Sequence, residues 1–180
     1  MRLRHLKEEY AERIKIDWRG FPLAPVDKQD RRPYPAAAAG WTSMAGREEG
    51  AEFTKWALPT YPVSSLPALE AARCAQLQGE EAALRFHLAT MRAFFAQSRD
   101  VSQWEELLAL AQEADLDIER FTADYQGHSL GEVVQADYSE ARQYGITGIP
   151  AMVIDERYLV VGARQTEEYR QIFEQILNSQ

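Results

Sequence analysis

Apolar positions along the chain fall mostly at helical spacing. Leu3, Leu6, Tyr10 and Ile14 lie on one stripe, with Arg2, Arg4, Lys7, Glu8 and Glu9 off it. This pattern predicts a helix over the first dozen residues, with no capping residue ahead of it. Ile14-Lys15-Ile16-Asp17-Trp18 then alternates apolar and polar, which predicts a short strand ended by Gly20, Pro22 and Pro25. From Val26 to about Ser65 periodicity is weak, broken by Pro33, Pro35, Gly40, Gly46, Gly50, Pro59 and Pro62. Ala36–Ala39 fits only a short turn of helix. So long a connection in a compact chain reads as a lid or an unrecognised element, and Trp41, Phe53, Trp56 and Tyr61 favour an ordered one.

A helical block follows. One helix is expected from near Ser65 to Gly79, with Pro67 in its first turn. The next carries Leu84, Leu88, Met91 and Phe95 as its apolar stripe, expected to face the core. A third has Trp104, Leu107, Leu108 and Ala111, and a short fourth Ile118, Phe121 and Tyr125. A fifth opens on Ser129 as cap with Glu132 three residues on, a capping box, and runs through Val134, Tyr138 and Ala141 toward Gly145. The period then changes. Ala151–Ile154 and Tyr158–Val161 are short β-branched runs around the turn Asp155-Glu156-Arg157, a predicted hairpin. Thr166 is read as the cap of a last helix bearing Tyr169, Ile172, Phe173, Ile176 and Leu177 on one face.

The 180 residues fit one domain, or one domain with a large insertion, and 46% hydrophobic with 27% charged residues is an ordinary globular composition. A net charge of −8 argues against nucleic-acid or anionic-membrane partners, which need a positive footprint. No apolar run approaches a bilayer span, and Met1–Leu6 lacks the apolar segment of a secretory signal, so a cytoplasmic location is expected. Cys74 is the single cysteine, which excludes an intrachain disulfide. His5, His87 and His128 are far apart, which argues against a Cys/His metal site. Phosphate-loop and nucleophile-elbow motifs are missing from the sequence.

The order helix, strand, helical insertion, hairpin, helix resembles the DsbA family of thiol–disulfide oxidoreductases without its first strand. Tyr144-Gly145-Ile146-Thr147-Gly148-Ile149-Pro150-Ala151-Met152-Val153-Ile154 looks like that family's Gly-Val-x-Gly-Val-Pro-x-Phe-Val-Ile segment. Ile16-Asp17-Trp18-Arg19-Gly20-Phe21-Pro22-Leu23 looks like the Trp-Arg-x-Phe-x-Leu strand of its FrnE-like branch. Phe86-His87-Leu88, Phe94-Phe95 and Asp100-Val101-Ser102 resemble that branch's insertion. The resemblance implies an α/β thioredoxin-like fold, N-terminally truncated, with an inserted α-helical subdomain. Residues 1–25 and 145–180 would form the thioredoxin-like part, 65–144 the helical insertion, and 26–64 an irregular connection or lid. The family's Cys-x-x-Cys opens its first helix, where the helix terminus lowers the leading thiol's pKa. Here that helix is already under way at Met1, so the motif is expected to fall outside these residues. The missing strand would also leave strand edges open, favouring self-association as a homodimer.

By resemblance Pro150 is the family's cis-proline, and Ile149 offers its backbone to an extended peptide, with Thr147 and Gly148 shaping the approach. Thr147, Gly148, Ile149 and Pro150 are therefore the expected substrate-binding residues, and no catalytic residue or metal ligand is assigned. Cys74 reads as a small buried hydrophobe and His87 as a packed or half-buried histidine rather than a catalytic base. Arg2 and Arg4 read as solvated charges, and Trp41 and Trp56 as lid or anchor residues. Three functions follow. The favoured one is thiol–disulfide exchange on a protein or peptide substrate, with the redox motif absent from this chain and no cofactor. The second is a glutathione-dependent isomerase or transferase of the kappa or hydroxychromene carboxylate type, with glutathione as cofactor. The third is a non-catalytic peptide-binding module.

Overall fold

A computed structural model describes residues 2–23, 28, 30–34, 52–127 and 129–179. The Ala36–Ala39 turn and Trp41 lie outside the described residues, as do the side chains of Arg2, Arg4 and Ser129, and with Ser129 the expected capping box. Helix α1 (Arg2–Tyr10) continues into a 3-10 turn, Ala11–Arg13. Strands β1 (Arg31–Pro33) and β2 (Thr60–Pro62) form one antiparallel pair, with Arg32 opposite Tyr61. Five helices follow: α2 (Leu66–Leu77), α3 (Glu80–Gln97), α4 (Trp104–Glu113), α5 (Ile118–Gln126) and α6 (Ser129–Gln143). The hairpin β3 (Ala151–Ile154) and β4 (Tyr158–Val161) and the helix α7 (Thr166–Leu177) complete the chain. None of these helices is long and apolar enough to cross a membrane.

Two apolar cores hold these elements. Leu6 and Tyr10 of α1 pack against Tyr169 and Phe173 of α7, with Met152, Ile154 and Val160 of the hairpin beside them. The Tyr10 and Phe173 rings meet edge to face at 5.4 Å, a geometry worth about 0.5–1.5 kcal/mol beyond area burial. The larger core joins α2 to α5 through Ala71, Cys74, Phe86, Leu107, Leu110 and Phe121. The β1–β2 pair is tied to this helical layer by Arg31–Asp100 at 2.5 Å, and Thr54 donates its backbone N–H to the Phe95 carbonyl. Trp56 is buried against Phe94 and donates its indole N–H to the Thr60 carbonyl, so it is an anchor of this pair.

Four expectations are corrected. Residues 14–18 are not a strand. Their exposure alternates only as far as Asp17, with Ile14 and Ile16 shielded between outward Lys15 and Asp17 while Trp18 is exposed; a strand also needs a ladder partner, and none is present among the described residues. Side chains take that role: Gln76 donates to the Trp18 carbonyl and Asp137 accepts the Gly20 N–H. Second, the segment before Ser65 holds the β1–β2 pair, whose three-residue strands are too short to show a period. Each ends on a proline, which edge strands tolerate. Third, Leu84, Leu88 and Met91 of α3 are exposed, while Ala82, Phe86 and Ala93 are buried. The two sets are offset by two residues, roughly 200° around a helix, so they occupy opposite faces. Fourth, the residue before α7 is Gln165, whose N–H is accepted by Glu168; Thr166 is the first helical residue.

Asp137 on α6 joins the 14–22 segment to the helical layer. Its carboxylate is 2% exposed and accepts from the Arg19 guanidinium at 3.0 Å and the Gly20 N–H at 3.1 Å. Arg73 of α2 donates to the second oxygen. Phe21 then packs on Tyr138, and Pro22 is fully buried. Removing one partner of a buried pair strands the other charge, so Asp137→Ala should destabilise the fold by about 3 kcal/mol in urea unfolding. A loss near zero would mean that Arg73 and the 14–22 segment find other partners.

Cys74 is fully buried in the larger core, and burial pushes its thiol up to about 12; burial also pushes the Tyr125 phenol up to about 12. In the unfolded chain these groups titrate near roughly 8.5 and 10. Above those values the unfolded chain releases protons that the folded chain retains, so rising pH favours unfolding. Stability should therefore fall steadily from pH about 9 toward 12, as urea melts at stepped pH will measure, and Cys74→Ala should shallow the slope. At neutral pH native Cys74 should resist thiol reagents until the chain unfolds.

Candidate functional site: the corner before the hairpin

Helix α6 ends in a turn that fixes the residues after it. Gly145 takes a φ of +77°, open to glycine without a side-chain clash. The Ile146 N–H reaches back to the Ala141 carbonyl and the Gly145 N–H to the Arg142 carbonyl, both at 3.0 Å. This is the Schellman pattern, and the buried Ile146 side chain pins its far end. Gly145 and Ile146 thus launch Thr147, Gly148, Ile149 and Pro150 from a rigid helix end.

Downstream the same four residues are held by the hairpin. The Pro150 carbonyl accepts the Gly162 N–H at 2.9 Å, one step beyond the Ala151–Val161 pair. The Ile149–Pro150 peptide bond is cis. Ile149 is 53% exposed, and Thr147 and Pro150 are also exposed. Among the described residues Thr147, Gly148 and Ile149 make no hydrogen bond, so their backbone donors and acceptors are open. A Cβ added at Gly148 would meet nothing within 4 Å. The corner therefore combines open main-chain groups with an exposed apolar side chain on a fixed frame.

The other sequence candidates lie elsewhere. His87 lies on α3 outside the two cores, and its ring stacks on Trp18 with centroids 6.3 Å apart. Burial of that ring pushes its pKa down. Cys74 sits inside the helical core, away from solvent. Among the described residues no group of His, Cys, Asp or Glu is arranged to hold a metal ion.

One surface was not anticipated. Leu84, Leu88 and Met91 of α3 stand 37%, 41% and 44% exposed, and Trp18 is 53% exposed above His87 on the same helix. Such a helix, apolar on both faces, uses only one of them for its own core. The signal was present in the sequence, since Ala82, Phe86, Ala89 and Ala93 repeat at the same spacing on the opposite side.

Comparison with known proteins places this geometry. The family model described as thioredoxin matches residues 2–171. Among solved structures, one assigned as a disulfide isomerase from Nitrosomonas europaea superposes with a TM-score of 0.80 at 24% identity, covering 99% of this chain and 89% of that one. One assigned as a DsbA oxidoreductase from Streptomyces coelicolor gives 0.75 at 27% identity, covering 90% and 75%. The ClpXP adapter protein SpxH of Bacillus licheniformis is 26% identical over 116 residues, 61% of this chain and 39% of that protein. The Bacillus subtilis SpxH is 24% identical over 151 residues, 79% of this chain and 50% of that protein. The chain thus spans half or less of the length of these two curated relatives. With an exposed corner at Thr147–Pro150, a β-hairpin, a terminal helix and a helical layer preceding them, the chain belongs to the thioredoxin family, in its helix-rich, DsbA-like form.

Proposed function

We propose that this chain is a protein-binding member of the DsbA-like thioredoxin family, which receives an extended segment of a partner at Thr147, Gly148, Ile149 and Pro150. The open backbone at 147–149 beside the exposed Ile149 is the observation that carries this reading. An extended peptide laid along such a corner gains main-chain hydrogen bonds, while Ile149 supplies apolar contact. The outer face of α3, with Leu84, Leu88 and Met91, supports the reading as further apolar surface for a folded partner. That two relatives of the chain are named ClpXP adapters supports a protein as the partner.

Thiol–disulfide exchange is not assigned to these residues. The single cysteine is buried, and its thiol is pushed up to about 12, so it supplies neither an attacking thiolate nor a resolving partner. The DsbA-like neighbours support the shape of the peptide-binding surface rather than its redox chemistry.

Gly148 provides the test. Peptides selected against the protein from a random phage library should bind it saturably, and Gly148→Phe should weaken them by about tenfold or more, roughly 1.4 kcal/mol. Because a side chain at 148 meets open space, the variant should keep its melting temperature. Selected peptides that bind Gly148→Phe as well as the parent would place the binding surface elsewhere. Insulin-reduction turnover that Cys74→Ala abolishes would overturn the non-catalytic reading.

A further inference from the structure

The helical layer carries a cavity of about 250 Å³ that plays no part in the binding corner. Its walls come from four elements, Glu70 of α2, Trp104 of α4, Tyr125 of α5, and Leu130 and Gly131 of α6, and Lys28 also lines it. The Trp104 and Tyr125 rings stack, with centroids 4.7 Å apart and planes 28° from parallel. Against this aromatic wall lies one carboxylate. The Glu70 side chain is 12% exposed, and Lys28 donates to it at 2.6 Å.

Glu70 is held close to α6 because residue 131 is glycine. A Cβ there would stand 2.9 Å from Glu70 Oε1, so any other residue would force the carboxylate aside. The carboxylate also lies beside the first turn of α6, whose partial positive charge favours an anion. A shielded carboxylate beside an aromatic wall attracts a cation on an apolar stem, through a charge-assisted hydrogen bond to the ammonium and apolar contact along the stem. Lys28 already displays that chemistry. Its side chain is 50% exposed, so the ion pair with Glu70 is open to solvent on the lysine side.

We propose that this cavity is a binding site for a primary alkylammonium group, with Glu70 as the counter-ion, Trp104 and Tyr125 as the walls for the alkyl stem, and Lys28 as a displaceable internal competitor. The net charge of −8 adds a general attraction for such cations. The ligand's ammonium takes the place of the Lys28 ammonium on Glu70, and no covalent step is involved. The same chemistry is presented by a lysine side chain on a peptide and by a free aliphatic amine.

Isothermal titration of the whole chain with Nα-acetyl-lysine methylamide and, separately, with putrescine tests the proposal. Saturable binding of either supports it, and the preferred one identifies the source. Lys28→Ala should tighten binding several-fold by removing the competitor, and Glu70→Gln should weaken it by about tenfold or more, as loss of a charge-assisted bond implies. Gly131→Ala guards against a folding defect in Glu70→Gln, since it keeps the carboxylate but displaces it and should also weaken binding. The protein's thermal melt should rise with ligand in Lys28→Ala and not in Glu70→Gln. Failure of both ligands to bind Lys28→Ala at millimolar concentration, or equal binding to the parent and Glu70→Gln, would overturn the proposal. Neither result bears on the corner at Ile149, which Gly148→Phe tests separately.

Discussion

The carboxylate of Asp137 is the contact on which the arrangement of this chain depends. A carboxylate withdrawn from water costs several kcal/mol unless its oxygens are fully engaged. Here they are engaged by three donors from two places in the sequence: Arg73 on α2, and Arg19 and the Gly20 N–H on the strap, residues 14–22, after α1. The strap makes no strand ladder among the described residues, so these bonds and the Gln76 contact to the Trp18 carbonyl fix its course across the helices. Apolar packing then follows, with Phe21 on Tyr138 and Pro22 buried. Polar contacts set the direction of the strap, and burial holds it there.

The same strap links the two cores. On one side α1, α7 and the hairpin enclose Leu6, Tyr10, Tyr169 and Phe173; on the other, α2 to α5 enclose Phe86, Leu107 and Phe121. Helix α6 holds Asp137 near its C-terminal half and then ends in the Schellman turn that starts the Thr147–Pro150 corner. One helix therefore both receives the strap and aims the candidate site. Rigidity of this kind favours binding, because open main-chain groups on a fixed frame lose little freedom when a partner pairs with them.

Much of this was legible in the sequence because burial there follows a single period. The stripe at Leu3, Leu6 and Tyr10, the β-branched runs at Ala151–Ile154 and Tyr158–Val161, and the face of α7 each point to one element and one side. Gly145 likewise marks the end of α6. Other features carried no such signal. In α3 both faces are apolar, and the larger residues lie outward while alanines and Phe86 make the close helix contacts, so side-chain size pointed to the wrong face. The alternation at Ile14–Trp18 matched the shielding of Ile14 and Ile16 but not the exposed Trp18, and it contained no information about a pairing partner. Asp137 looked like any helical acid, since its partners Arg19 and Arg73 are distant in sequence and only packing brings them together. The β1–β2 pair was hidden by its length and by the prolines that end both strands.

The central claim is that the corner at Ile149 meets another protein through its open backbone. Photo-crosslinking from a benzophenone amino acid placed at position 149, with position 119 on the exposed side of α5 as control, tests that claim directly. Position 149 should give discrete protein adducts that the control lacks, with crosslinked peptides that read as extended segments by mass spectrometry. Adducts that are absent at 149, or the same from both positions, would contradict it.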